Sequence, residues 1–140
     1  MNTIVENFCR YYKEFSQESI AGLDEIYHQH VVFVDPMGKV EGLSHLKNHF
    51  SKMMSNVTYC RFEITDVVNN DTQAFITWTM KFAHPKLNQQ QEITVCGVSE
   101  IMFNERITYH RDYFDVGSMF YEHVPIVKYV IGLLKKRLAS

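Results

Sequence analysis

The chain has 140 residues, of which 46% are hydrophobic and 21% are charged, and its formal net charge is −2. This length and balance are typical of one globular domain with a sizeable core, so we expect a single domain over residues 1–140. The small net charge excludes the strong basic field typical of nucleic-acid-binding proteins, and no apolar run approaches the roughly 18 residues of a transmembrane helix.

The N-terminal third alternates helical and extended patterns. Apolar side chains recur at three- and four-residue steps over residues 3–17 and predict an amphipathic helix. A second, short helix is predicted from Ser19 to about Tyr27, followed by a strand at Val31–Val34. Proline and glycine residues then mark a tight connection, and a third helix begins at Ser44.

The middle of the chain is rich in β-branched and aromatic residues, with turn signals between the runs. This pattern predicts four long strands joined as hairpins in an antiparallel sheet, at Thr58–Val68, Ala74–Ala83, Glu92–Phe103 and Arg106–Phe114.

A C-terminal helix is predicted over residues 125–139, beginning at Pro125, with its apolar side chains against the core. Helices gathered before a meandering sheet indicate the α+β class, with the helices on one face of the sheet. A curved sheet closed by helices forms a cone whose mouth suits an apolar ligand.

The three cysteines, Cys9, Cys60 and Cys96, are odd in number and widely spaced. This favours reduced, buried thiols in a cytoplasm over a disulfide framework or a zinc site. The first fifteen residues include Glu6 and no long apolar run, which is not typical of a signal peptide. We therefore predict a cytoplasmic protein.

Two motifs carry a family resemblance. The segment FVDPMGKVEG follows the helical start, and YHRDYFD lies on the last predicted strand. With this order of elements the chain resembles, over roughly residues 3–120, the SnoaL-like group of the nuclear transport factor 2-like superfamily. That superfamily includes ketosteroid isomerases, polyketide cyclases, limonene epoxide hydrolases and members that only bind. The resemblance implies a cone-shaped sheet with helices on its concave face, a pocket for a small lipophilic molecule, a homodimer, and neither metal nor organic cofactor.

The ketosteroid isomerases have three catalytic groups that can be placed on this chain. In the family, the Asp of a D-P-x-G segment is the general base, which matches Asp35. A Tyr on the first helix donates to the oxyanion, which matches Tyr11. The family's third group is a protonated Asp, and Ser99 stands at that position here.

The epoxide hydrolases share the segment R-D-Y-F-D, in which the first Asp is catalytic and matches Asp112. In that family it works with an Arg-x-Asp on an earlier strand. The corresponding residues 75–81 contain neither Arg nor Asp.

Strand alternation gives an independent prediction for the same region. His110, Asp112 and Phe114 should share one face, and a His two residues from an Asp on one face can act as an acid–base pair. If Asp35 joins them in an apolar site, burial should raise the pKa of Asp35 or of Asp112. The cavity wall would include Tyr12, Trp78 and Met80.

These residues also have non-catalytic interpretations. An Asp-Pro after a strand is a common turn in which the carboxylate accepts backbone N–H bonds, so Asp35 could serve only the turn. Asp112 could pair with charges on a neighbouring strand. His45 and His49 are four apart on a helix, which suits zinc, but they have no evident third ligand and fit a solvated helix face. A ligand-binding or regulatory module without chemistry therefore stays open beside an acid–base isomerase, cyclase or hydrolase.

Two surfaces are candidates for contacts. Five aromatic and basic residues should share the outer face of the sheet and form the dimer contact: Tyr59, Arg61, Tyr109, Arg111 and Tyr113. The C-terminal helix combines basic and apolar residues, which fits packing on the domain, on a partner or on a membrane surface. Stable insertion into a membrane is not expected.

Overall fold

The computed structural model describes residues 2–119 and 123–139. Its first helix, α1, spans Thr3–Lys13 and is capped by Asn2, whose side chain accepts a 2.8 Å hydrogen bond from the backbone N–H of Ile4. The predicted helix is therefore correct in its position but ends at Lys13. Ser16 and Ser19 exchange hydrogen bonds with each other's backbone N–H groups, and such bonds compete with helical ones.

The segment after α1 differs most from the prediction. A 3₁₀-helix spans Glu18–Glu25, and strand β1 then runs over Tyr27–Asp35. Tyr27, predicted as the end of a helix, is thus the first residue of a strand and is 1% exposed. A short strand β2, Gly38–Glu41, pairs with β1 where the sequence indicated only a connection.

The remaining elements follow the predicted order. Helix α2 spans Leu43–Ser55. The strands are β3 (Tyr59–Asn69), β4 (Gln73–Ala83), β5 (Ile93–Phe103) and β6 (Ile107–Phe114), followed by the short helix α3 (Val116–Met119) and by α4 (Pro125–Ala139).

The six strands form one sheet in the order β2-β1-β6-β5-β4-β3. All pairings are antiparallel except that between β1 and β6, which is parallel. The predicted α+β class with a curved sheet is confirmed, and the parallel pair is a difference from the all-antiparallel expectation. It arises because β1 comes from the helical first third of the chain and is not joined to β6 by a hairpin.

The main core lies between helices α1 and α2 and the concave face of the sheet. Helix α1 packs against β3 and α2 packs against β1. Inward residues alternate along β4, where Ala74, Ile76, Trp78 and Met80 are buried. Gly97 on β5 faces Trp78, and a Cβ there would lie 2.4 Å from the indole ring, so only glycine leaves room for this Trp.

Helix α4 does not pack against the core, which corrects the prediction. None of its side chains is buried, and Ile126 and Leu138 are 79% and 87% exposed. The physical reason is that α1 and α2 already cover the concave face. Within the described residues, no helix has both the length and the apolar character needed to cross a membrane.

The outer face of the sheet carries the residues predicted for a dimer contact. Arg111 stacks over the ring of Tyr113, and both are exposed. Acidic residues share this face, since Arg61 pairs with Glu92 at 2.9 Å. The dimer stays a prediction. Cys96 is exposed, unlike the buried thiol that was expected.

Candidate functional site

A narrow cavity lies between the concave face of the sheet and helices α1 and α2. Its internal volume is about 50 Å³, which is room for only a few water molecules. Eight of its eighteen lining residues are Phe, Tyr or Trp: Phe8, Tyr12, Phe15, Phe33, Phe50, Phe62, Trp78 and Phe114. Polar groups that reach this wall are shielded from bulk water, so their mutual interactions are strengthened.

His110 and Asp112 form a close pair in the wall of the cavity. They lie two residues apart on β6 and therefore point to the same side of the sheet. His110 Nε2 is 2.6 Å from Asp112 Oδ1. The His110 residue is 1% exposed and the Asp112 side chain 20% exposed, so the carboxylate is the more accessible member of the pair.

Ser99 contacts the same oxygen of the Asp112 carboxylate as His110 does. It lies opposite Asp112 in the β5–β6 register, and its hydroxyl donates a 2.5 Å hydrogen bond to Asp112 Oδ1. The same hydroxyl oxygen accepts a 2.9 Å hydrogen bond from the indole N–H of Trp78. Because a serine has one proton to donate, this arrangement directs it to Asp112. No hydrogen bond from the described residues reaches Oδ2, which is left available to a molecule in the cavity.

Two tyrosines continue the network behind His110. The Tyr27 hydroxyl lies 2.7 Å from His110 Nδ1, and the Tyr12 hydroxyl lies 2.6 Å from that of Tyr27. Burial raises the pKa of both tyrosines well above the ordinary value. Both hydroxyls therefore keep their protons near neutral pH and can donate.

The hydrogen bonds that join His110, Tyr27 and Tyr12 can be donated in either of two directions. When His110 is neutral with its proton on Nε2, Tyr27 donates to Nδ1 and Tyr12 donates to Tyr27. When His110 carries a second proton, Nδ1–H donates to Tyr27, Tyr27 donates to Tyr12, and the Tyr12 proton becomes available. Since Tyr12 lines the cavity, protonation of His110 turns this hydroxyl into a donor toward a bound molecule.

Asp35 and His49 lie at another part of the cavity wall. Asp35 Oδ1 accepts hydrogen bonds from the backbone N–H groups of Met37 (2.9 Å) and Gly38 (3.1 Å), so the carboxylate shapes the β1–β2 turn. His49 Nε2 is 3.8 Å from Asp35 Oδ2, too long for a direct hydrogen bond but near enough for charge attraction.

The pKa of Asp35 is lowered, not raised as the sequence suggested. Burial pushes the pKa upward, but the neighbouring imidazole of His49 and the two backbone N–H groups outweigh it. Asp35 therefore stays ionised to lower pH than an ordinary Asp, and it is a weaker base than burial alone would make it.

The comparison with known families can now be made. Residues 8–110, well over half of the chain, match the SnoaL-like domain family. This chain belongs to the SnoaL-like domain family. The resemblance predicted from the two motifs is confirmed. No curated protein sequence matches the chain.

Several solved structures share the SnoaL-like fold of this chain. One is a nuclear transport factor 2-like protein of unknown function from Burkholderia pseudomallei K96243, with 15% identity, a TM-score of 0.75, and coverage of 85% of this chain and 95% of that one. A protein with a ketosteroid isomerase-like fold from Catenulispora acidiphila DSM 44928, in complex with trimethylamine, has 13% identity, a TM-score of 0.72 and coverage of 88% and 92%.

An LEH-like epoxide hydrolase from M. tuberculosis has 19% identity, a TM-score of 0.67, and coverage of 98% of this chain and 94% of that chain. At these identities the likeness shows the fold alone.

Most of the site residues predicted from the sequence line the cavity. The structure brings together Asp35, His110, Asp112, Tyr12, Trp78, Met80, Ser99 and Phe114.

Tyr11 is the exception and corrects the prediction. It is not among the residues that line the cavity, and its hydroxyl donates to the carbonyl of Ser19 at 2.7 Å. Adjacent helix positions point about 100° apart, so Tyr12 takes the inward place instead.

Two polar residues of the site were missed from the sequence. Tyr27 was assigned to a helix end, and no local pattern placed it beside His110, from which it is 83 positions distant. His49 was interpreted as a solvated surface residue. A signal for it existed, because it lies three residues after Leu46 and four before Met53, both on the apolar side of α2.

The chemistry available to this SnoaL-like site is acid–base chemistry. The Asp112 carboxylate has hydrogen bonds to Oδ1 and none from the described residues to Oδ2, and the His110 imidazole lies beside it. The hydroxyls of Tyr27 and Tyr12 connect His110 to the cavity. Within residues 2–119 and 123–139, no group of three His, Cys, Asp or Glu side chains is arranged to hold a metal ion.

Proposed function

We propose that this protein binds a small apolar molecule bearing a carbonyl group and transfers a proton at the carbon next to that carbonyl, as a cofactor-independent isomerase or cyclase. The observation that carries the proposal is the Asp112 carboxylate, with Oδ1 bonded to His110 and Ser99 and Oδ2 available in the wall of an aromatic cavity.

In this proposal Asp112 is the base. Its Oδ2 removes a proton from the carbon next to the carbonyl, and the electron pair moves onto the carbonyl oxygen to give an enolate. Where a C=C bond adjoins that carbon, the enolate is a dienolate. The protonated form of Asp112 then returns the proton to the far carbon of the former C=C bond, which moves the double bond into conjugation with the carbonyl and completes an isomerisation. An aromatic, water-poor wall favours such a transfer because it leaves the carboxylate with few competing hydrogen bonds.

Tyr12 is the proposed donor to the enolate oxygen. Its hydroxyl is available when His110 is the imidazolium partner of the Asp112 carboxylate, because the hydrogen-bond chain then runs from His110 through Tyr27 to Tyr12. Each well-placed base or oxyanion donor contributes about 10²–10⁴ in rate. Asp35, with its lowered pKa and its bonds to the β1–β2 turn, is assigned to the shape and charge of the cavity wall.

The second candidate is a binding or regulatory module of the same fold without turnover. Two departures from the resembling enzymes favour it: Ser99 occupies the position of the isomerases' protonated Asp, and residues 75–81 lack the hydrolases' Arg-x-Asp. In this alternative the same residues determine the affinity for the bound molecule and catalyse no reaction.

Solvent deuterium exchange separates the two candidates without knowledge of the natural substrate. Small ketones such as 2-butanone are incubated with the protein in D₂O, and loss of the protons next to the carbonyl is followed by NMR. We expect the wild type to accelerate exchange, and Asp112→Asn to reduce this acceleration about 10²-fold or more. Asp71→Asn, in an exposed turn, is the matched control and should exchange as the wild type does. Equal rates with and without protein would instead support the binding module.

A further inference from the structure

A second apolar cavity lies next to the first. Its volume is about 180 Å³, more than that of the cavity beside Asp112. It is formed by the end of α2, the α2–β3 connection, the first part of β3 and the last part of β4, including Val57, Cys60 and Phe82. Its described wall contains no Asp, Glu, Lys or Arg; Asn56 and His84 are its polar members, and the other lining residues are apolar, so most of the space suits an uncharged, apolar group.

Three methionines line both cavities: Met53 from α2, Met80 from β4 and Met119 from α3. Their side chains therefore form the wall between the two spaces. Methionine is unbranched and has three rotatable bonds, so such a wall rearranges at lower cost than one of β-branched or aromatic residues. The cavity at Asp112 is too narrow for more than a few heavy atoms, while the larger room lies beyond this wall.

We propose that the two cavities are the two ends of one ligand site, and that its ligand is a linear aliphatic molecule with a carbonyl at one end. The carbonyl end occupies the narrow cavity at Asp112 and His110, and the chain passes between Met53, Met80 and Met119 into the second cavity. This inference rests on the proposed function, since it names the class of molecule that the acid–base site would take.

A homologous series of methyl ketones tests the inference. Binding of 2-butanone, 2-hexanone and 2-octanone to the full chain is followed by NMR through the methionine methyl signals and the His110 ring signal. Burying one methylene gains about 0.8 kcal/mol, so affinity should rise roughly fourfold per added methylene. The His110 signal and the three methionine signals should move with one common midpoint for 2-octanone.

Val57→Phe is the diagnostic variant, because Val57 lines the second cavity and not the first. The larger side chain should reduce the ratio of 2-octanone to 2-butanone affinity by about tenfold or more. Val68→Phe is the matched control, since Val68 is 65% exposed on β3, and its ratio should equal that of the wild type.

Three results would overturn the inference. The affinity could be independent of ketone chain length, the rise in affinity with chain length could be unchanged in Val57→Phe, or the methionine signals could move while the His110 ring signal does not. If affinity rises with ketone chain length but no deuterium exchange occurs, the shared site is supported and the catalytic proposal is overturned. Exchange of 2-butanone without a chain-length gain would support the catalytic proposal and overturn the shared site.

Discussion

The rings of Tyr27 and His110 are parallel within 2°, with the Tyr27 hydroxyl 2.7 Å from His110 Nδ1. Tyr27 begins β1 and His110 lies on β6, so the only parallel strand pair of the described sheet brings the two rings together. This contact leaves the other ring nitrogen of His110 directed at Asp112, and it thereby orients the proposed acid–base pair.

Removal of the Tyr27 hydroxyl should cost stability. In Tyr27→Phe the ring packing is kept, but His110 Nδ1 loses its buried partner and so does the Tyr12 hydroxyl. A buried polar group left without a partner costs about 1–3 kcal/mol, so urea denaturation should show a fall of that size in the unfolding free energy. Tyr59→Phe removes a hydroxyl from an exposed bond to Glu92 and should change the unfolding free energy by less than about 0.5 kcal/mol. A loss as small in Tyr27→Phe as in Tyr59→Phe would contradict the buried chain.

Removal of the Ser99 hydroxyl should be visible in the fluorescence of Trp78, the single Trp of the chain. Ser99→Ala removes the acceptor of the indole N–H and the donor to Asp112. We expect the emission of Trp78 to shift to shorter wavelength, and the unfolding free energy to fall by about 1–3 kcal/mol. Ser44→Ala, at an exposed position, is the control. An unchanged emission maximum in Ser99→Ala would show that the indole is bonded elsewhere.

Asp35 should make the stability depend on pH at the acid end. Its pKa in the folded state is lowered, so its ionised form stabilises the fold at pH values above the unfolded-state pKa, which is about 4 for Asp. This contribution is lost as the pH falls through the folded-state pKa.

Unfolding curves between about pH 2 and 7 should therefore show a smaller acid-induced loss of stability in Asp35→Asn than in the wild type. The asparagine keeps an oxygen that can accept the N–H bonds of Met37 and Gly38 but has no charge. Asp35→Ala removes the charge and also the accepting oxygen. The difference between the two variants therefore measures the contribution of the hydrogen bonds in the turn. Parallel pH curves for Asp35→Asn and the wild type would rule out the lowered pKa.

Helix α4 should contribute little to the stability of the domain. None of its side chains is buried, so a chain ending at Val124 should keep the unfolding free energy within about 1 kcal/mol of the full chain. Leu46→Ala gives the scale for comparison, because Leu46 is fully buried and its truncation should cost about 2–5 kcal/mol. A loss comparable to that of Leu46→Ala would mean that α4 packs on the domain in solution.

Sequence alone determined those features that depend on local periodicity. The two-residue period of strands placed His110, Asp112 and Phe114 on one face, and the three- and four-residue period of helices gave α1 and α2 their buried sides. The segment with Asp35 and Pro36 was correctly placed at a strand end, because turn chemistry is also local. The family resemblance rested on these same short segments.

Only the tertiary structure decided what depends on contacts between distant segments. The bonds from Tyr27 to His110 and from Ser99 to Asp112 join residues 83 and 13 positions apart, and strand order and register bring them within hydrogen-bond distance. The lowered pKa of Asp35 has the same origin, because His49 reaches it from α2 and outweighs burial together with the turn N–H groups. The apolar pattern of α4 predicted an amphipathic helix but not its neighbour, since periodicity defines a face and packing decides whether anything covers it.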